Sequence, residues 1–337
     1  LSNTAKLTIS NWSNSTVSGG AVAFHDSSSL LVSSNSQFLV TGGSVTFFDS
    51  NSLHLTTNSL FSIKQGSVTL QGTGAISLDS SSQASISGGS LIIADQASLS
   101  MVNSQWSITG GNFVYTSTSN VTLVTSTMQI NTGSISLSAG SMSASANSVV
   151  SVNGGSLGFT STAQMVASHS TVSVASGNLT LSNNSQFQVT NSSTVQVSGG
   201  NLVVSDASSM PVTSSSVTVS NGNAIFQGTT MTSYSGSTLD VTGGNVQFQA
   251  NSQLSFSSNS GVSISGGSFV ATDAASVGLS GNTAATISGG NVAVGGSATV
   301  TMTTGSSMAV QSGSFLFSGS SVFNALDTTS LSVSGGN

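Results

Sequence analysis

Apolar and polar residues alternate along this chain in short bursts, and the bursts recur in threes. From Asn178 to Gly200 the apolar pairs are Leu179/Leu181, Phe187/Val189 and Val195/Val197. From Asn245 to Gly267 they are Val246/Phe248, Leu254/Phe256 and Val262/Ile264. From Ser44 to Gly66 they are Val45/Phe47, Leu53/Leu55 and Phe61/Ile63. Each pair brackets one residue, the period-2 pattern of a strand that buries one face. Small residues such as Ser185 and Ser193 stand two before a pair, and Ser, Asn, Asp and Gly fill the gaps with turn chemistry. The predicted unit is three short strands separated by turns.

Glycine delimits the units. Gly20, Gly43, Gly66, Gly89, Gly111, Gly133, Gly155, Gly177, Gly200, Gly222, Gly244, Gly267, Gly290, Gly313 and Gly336 follow one another at 22 or 23 residues. They enclose fourteen repeats over 21–336, preceded by an incomplete first rung over 1–20 in which Leu7 and Ile9 fit second-strand positions. Positions are numbered here from the residue after each boundary glycine. A repeat of 22 must lose its residue in a turn, because a slip inside a strand would turn its inward side chains outward. So constant a period marks stacked repeats, none of which can bury its apolar face alone. Residues 1–337 are therefore expected to form one continuous all-β domain, a three-faced parallel β-helix (solenoid) of about 15 rungs. The right hand is expected, since parallel crossovers favour it. An antiparallel sandwich would not need this period, and a disordered Ser/Gly-rich chain would not keep six inward apolar positions in repeat after repeat.

Composition narrows the functional classes. Charged residues are 3% of the chain (two Lys, eight Asp, no Arg, no Glu), against about a quarter in ordinary soluble domains. Ser and Thr number 120 of 337 and supply the polar surface instead. The net charge of −6 comes from scattered Asp. Without a basic patch the chain is not expected to bind nucleic acid or to dock on anionic membranes. No apolar run approaches the roughly 20 residues of a membrane span, so no membrane insertion is expected. The absence of cysteine excludes disulfides, thiolate zinc sites and thiol nucleophiles, and it fits an extracellular or cell-surface location. Leu1-Ser2-Asn3 shows no signal-peptide pattern, and the chain stops inside a boundary motif at Ser334–Asn337. Both ends read as cut or processed within a repeating array.

Candidate chemistry is sparse. Asp26, Asp49, Asp95, Asp206 and Asp273 all occupy position 6, just after the first strand. Asp26 and Asp49 should stack on adjacent rungs, and stacked carboxylates repel and attract a cation, which makes them the one weak metal candidate. The competing reading is a turn that favours small polar residues, and the Gly-Gly-x-Gly-x-Asp nonapeptide of calcium-loaded β-rolls is missing. No catalytic or cofactor-binding residue emerges. Lys6 and Lys64 lie far apart, and His25, His54 and His169 fall at positions 5, 11 and 14 without forming a column. No cofactor is expected, and the chain is not read as an enzyme.

Six Asn-x-Ser/Thr sequons stand at Asn11, Asn14, Asn120, Asn178, Asn183 and Asn191, where chance alone would supply about nine. Of these candidate N-glycosylation sites, Asn183 and Asn191 fall on predicted turns. Pro211 interrupts a second strand and is expected to cause a bulge. Trp106 falls at an inward position, whereas Trp12 falls in a turn. The outward residue of the first strand is aliphatic in eight repeats: Ala23, Ile92, Val114, Val203, Ile225, Val270, Ala293 and Leu316. The corresponding residue of the third strand is aliphatic only at Leu39 and Ala309. That contrast marks the first-strand face, above all Ile92, Val114, Val203, Ile225, Val270 and Leu316, as a candidate lateral contact face.

In general design, three apolar-x-apolar strands in a coil of 22–23 residues, the whole chain resembles parallel β-helix repeat proteins of the extracellular filament and adhesin type. Filamentous haemagglutinin and autotransporter passenger domains are examples, although their particular motifs are not matched. The resemblance and the composition together imply an extracellular structural protein, a subunit or segment of a filament or surface coat. Its uncapped strand edges would stack end to end on further copies or repeats, and its outward hydroxyls would accept covalent glycans. The alternative is an adhesin stalk, although no recognition loop interrupts the period. A polysaccharide-acting enzyme and an ice-binding protein are less expected. The latter needs a column of Thr, and position 3 reads Ala23, Thr46, Thr69, Ile92, Val114, Ser136.

Overall fold

Every apolar-x-apolar pair sampled above lies in a strand. In the repeat 178–200 the strands are Leu179–Leu181, Gln186–Thr190 and Thr194–Ser198, each with its apolar residues buried. The computed structural model describes residues 1–228 and 231–335, so Thr229, Thr230 and the boundary residues Gly336 and Asn337 lie outside the described residues. Each strand pairs in parallel with the strand three places on in sequence. The protein is thus an all-β, three-sheet parallel β-solenoid of about 14 rungs, with no helix among the described residues.

By their contacts the residues divide into two compact units, Leu1–Gly158 with Thr162–Ser173, and Phe159–Ser161 with Val174–Asn337. Each is built the same way. In the first, Val45, Val68, Leu91, Phe113 and Ile135 pair in register down one inward column. Beside them the rings of Phe24 and Phe47 stack at 4.7 Å and 11°. In the second unit, Leu202, Ala224, Val246, Phe269 and Val292 form the equivalent column. There Phe226 stacks on Phe248 at 5.4 Å, and Tyr234 on Phe256 at 4.9 Å. The inward residues Phe47, Phe61, Leu181, Phe187, Val197, Phe248 and Phe256 are fully buried, and so is Trp106. Burying such a side chain contributes about 1.5–3 kcal/mol, and register keeps like on like from rung to rung.

The turns explain the two repeat lengths. Position 6 holds a left-handed backbone in most repeats, with φ near 60° at Asp26, Asp49, Asp95 and Asp273 and at Gly296. Asp, Asn and Gly tolerate that region best, which accounts for their recurrence there. In the second turn, 23-residue repeats place two left-handed residues in succession, as at Ser34-Asn35, Thr57-Asn58 and Asn191-Ser192. Five of the 22-residue repeats place only one, at Asn103, Thr125, His169, Ser214 or Gly236. The remaining one, 134–155, keeps Ala146-Asn147 and loses its residue in the first turn, where the next strand starts at Ser141. The inward strand positions keep their register, with an irregularity at the end of Thr127–Thr132, where Thr109 pairs with Thr132.

Pro211 behaves differently from expectation. Ser209 still bridges Gln186, and Val212 still pairs with Val189, both at an offset of 23 residues. The register is therefore kept and no bulge forms. Lacking an N–H, Pro211 instead shortens the strand to Val212–Thr213, while its carbonyl still accepts from the Val189 N–H at 2.9 Å.

Candidate functional site

Polar side chains at the three corners are committed to the backbone of the neighbouring rung. At the corner after the third strand, position 1 is Ser or Asn in every repeat but the first, which has Ala21, and its side-chain oxygen accepts the N–H of position 1 one rung on. Asn112 Oδ1 accepts from Ser134, Asn201 Oδ1 from Asn223, and Asn223 Oδ1 from Asn245, each at 2.8 Å. At the corner between second and third strands a buried hydroxyl column runs the other way. The Ser104 N–H donates to Ser126 Oγ, Ser126 to Ser148, Ser193 to Ser215 and Ser215 to Ser237, at 3.1–3.2 Å. These ladders have no isolated signature in sequence, because Ser and Asn are also ordinary turn residues; only the fixed register shows their partner 22 or 23 residues away.

Four of the five Asp residues of position 6 form the third ladder, while Asp206 accepts the hydroxyl of its neighbour Ser205 at 3.2 Å. Asp26 Oδ2 accepts the Asn3 N–H at 2.7 Å, and Asp49 Oδ2 accepts the Asp26 N–H at 3.0 Å. Asp95 accepts from Gly72 at 2.9 Å, and Asp273 from Ala250 at 3.1 Å. The expected stacking of Asp26 and Asp49 is present, but each carboxylate serves a backbone amide below it. Turn construction accounts for both residues. Among the described residues no three His, Asp or Glu side chains come together as a metal-binding group.

The histidines stay apart in the structure. His25 stacks on Phe48 at 4.6 Å, and His169 lies beside Ser168. His54 Nε2 meets Asp79 Oδ2 at 2.9 Å on the outward face of the second-strand sheet. Burial pushes the Asp79 carboxyl up, but the Thr56 and Ser80 hydroxyls and the His54 imidazole outweigh it and hold the group below its usual range. Asp240 shows the opposite balance: burial raises it, and the Thr238 hydroxyl offsets only part of the rise.

The sequons differ in setting. Asn183 and Asn191 are exposed at left-handed turn positions, and Asn11 and Asn14 are exposed in the first rung. Asn120 is exposed and accepts the Ser141 hydroxyl at 2.6 Å. Asn178 is half-buried, its Oδ1 taking the Asn201 N–H at 2.8 Å in the position-1 ladder. Trp12 is 77% exposed at a left-handed φ of 64°.

The aliphatic row is partly covered by itself. Ile92 pairs with Val114, Val203 with Ile225, and Val270 with Ala293, and all of these are half-buried by their neighbours in the row. Leu316, the last of the row, is 50% exposed. In its rung the inward positions are open as well: Phe317, Leu331 and Val333 are exposed, and the rings of Phe315, Phe317 and Phe323 cluster at 4.9–6.0 Å.

Two clefts in the first unit lie where a turn shortens. One, lined by Ser81, Gln83, Asn103, Ser104, Gln105, Thr125 and Thr127, begins where the second turn drops from two left-handed residues to one. The other is lined by Thr118, Asn120, Gly140, Ser141, Thr162 and Gln164 and sits at the short first turn of 134–155. Neither was foreseen, since a one-residue deficit signals a shorter turn but not the gap its neighbours leave. No family model, no curated protein and no solved structure matches this chain.

Proposed function

We propose that this chain is a structural module of an extracellular filament or surface coat, working by continuation of its rungs and not by catalysis. One observation carries this reading: the corner side chains of each rung are hydrogen-bonded to the backbone of the next, so every rung is made to receive another. The last described rung offers such a receptor, with Phe317, Leu331 and Val333 exposed and Phe315 and Phe323 half-buried beside them. A further rung would cover them, whether from a second copy or from additional repeats. A non-catalytic role is supported by the engagement of Asp26 and Asp49 with backbone amides. An exterior setting is supported by the cysteine-free, hydroxyl-rich composition, and outward Ser, Thr and the exposed Asn183 and Asn191 are the places for covalent sugar.

Sedimentation velocity at micromolar concentration tests the proposal. The 337-residue chain should form a concentration-dependent series of assemblies, and Phe317→Asp with Phe323→Asp should abolish it without changing the circular dichroism of the sheets. A single monomeric species under all conditions would leave the adhesin-stalk reading, which uses the same repeats without self-association.

A further inference from the structure

We infer that the cleft at the short first turn of 134–155 is a binding site for a neutral carbohydrate, held through hydrogen bonds to its hydroxyl groups. Its origin is a length mismatch. In the flanking repeats the second strand starts at position 9, at Asn120 and Gln164, whereas between them it starts at position 8, at Ser141. Asn120 pairs with Ser141 and Ser141 with Gln164, so the missing residue leaves a slot between Thr118–Asn120 on one side and Thr162–Gln164 on the other. The slot measures about 350 Å³ and opens to solvent.

The floor of the slot cannot fill it. Gly140 has φ 64°, and a Cβ there would stand 2.4 Å from the carbonyl oxygens of both Ser117 and Ser119 and 3.0 Å from the Tyr115 ring. Glycine is required, and the slot stays open above it. Two amides, from Asn120 and Gln164, and three hydroxyls, from Thr118, Ser141 and Thr162, line the walls. The Ser141 hydroxyl donates to Asn120 Oδ1 at 2.6 Å, which orients that amide and offers its Nδ2 as a donor.

This lining selects a chemical class. No charged side chain lines the slot, so an ionic ligand would lose hydration without a counter-charge. No large apolar or aromatic wall rewards a hydrophobic one. Sugar hydroxyls both donate and accept, matching amides and hydroxyls that do the same. With no ring to stack on, a dissociation constant of about 1 mM is expected. The inference stands apart from assembly and holds whether or not copies stack.

The test follows the backbone amide signals of 118–120, 140–141 and 162–164, with the side-chain amides of Asn120 and Gln164, by NMR in the full 337-residue chain. Glucose, galactose, N-acetylglucosamine and cellobiose are titrated, with glucuronate as the charged comparison. At least one neutral sugar should give saturable shifts confined to 118–120, 140–141 and 162–164, binding at least about tenfold more tightly than glucuronate. Asn120→Ala with Gln164→Ala should weaken binding at least about tenfold. One Asn inserted between Ala139 and Gly140 restores the usual turn length and should fill the slot, removing the shifts. Should the insertion fail to fold, the alanine variants decide alone. No saturable shift with any sugar, equal binding of glucuronate, shifts scattered over all faces, or binding that survives both alanine changes would overturn the assignment.

Discussion

Gly66 stands directly on Gly43: a Cβ added to Gly66 would lie 1.7 Å from the Gly43 carbonyl oxygen. The same contact recurs for Gly111 on Gly89 at 1.7 Å and for Gly244 on Gly222 at 1.9 Å. The glycine that punctuates the sequence is therefore a steric requirement of one corner, where backbone packs on backbone. Gly66→Ala should destabilise by more than about 3 kcal/mol, because a backbone and not a flexible side chain must yield. Gly278→Ala, where nothing stands within 4 Å of the new carbon, should change stability by less than about 0.5 kcal/mol. Denaturant unfolding of the two variants compares them.

Inward and outward neighbours in one strand should differ as sharply. Phe187 is fully buried and Gln188 exposed. Phe187→Asp places an unpaired charge in the core and should cost at least about 4 kcal/mol, to the point of unfolding nearby rungs. Gln188→Asp should stay within about 0.5 kcal/mol of wild type. Circular dichroism melts are sufficient to separate them.

Asn223 joins two rungs, its N–H donating to Asn201 Oδ1 and its own Oδ1 accepting from Asn245. Asn223→Ala removes that acceptor and should cost about 1 kcal/mol, with faster amide exchange at Asn245. Asn223→Asp keeps an acceptor and should recover most of the loss. Equal losses in the two variants would show that the ladder contributes little.

Acid should weaken the first unit through Asp79. Its folded pKa lies below the usual carboxylate value, so the ionised form is favoured in the folded state and contributes stability above that value. The contribution is lost as pH falls through the folded pKa. Asp240 runs the other way, since its raised pKa makes it least favourable once ionised. Asp79→Asn should therefore flatten the acid limb of the stability profile below about pH 4, and Asp240→Asn should steepen the stretch above about pH 4, where wild-type Asp240 takes up its stabilising proton. Melting curves between neutral pH and pH 2 read both slopes.

Much of this fold is legible in the chain because each layer repeats one signal. Val45/Phe47 and Val246/Phe248 show the same strand two hundred residues apart, and the boundary glycine fixes where each rung starts. The missing residue of the short repeats falls in turns, as the alternation requires, since turns absorb it without inverting a face. The roles of Ser126 and Asn223 were not legible, because their partners lie one rung away and only the register brings them together. Pro211 departs from the expected bulge for a related reason. A strand paired on both sides tolerates one missing donor by shortening, and its neighbours hold the register that a bulge would have shifted. The slot above Gly140 depends on the turns either side of it and not on the turn itself.

The central claim, that rungs are built to receive rungs, is tested most directly at a single amide. The Asn282 N–H donates to the Thr304 carbonyl of the next rung at 2.9 Å. The equivalent position in the last rung is Thr328, whose N–H would meet such a carbonyl in a rung placed beyond it. Hydrogen exchange at Thr328, followed from nanomolar to micromolar protein, reads whether such a rung arrives. The account predicts rapid exchange in dilute solution and protection approaching that of Asn282 as concentration rises, lost again in Phe317→Asp/Phe323→Asp. Rapid exchange at Thr328 at every concentration, with Asn282 protected throughout, would contradict it.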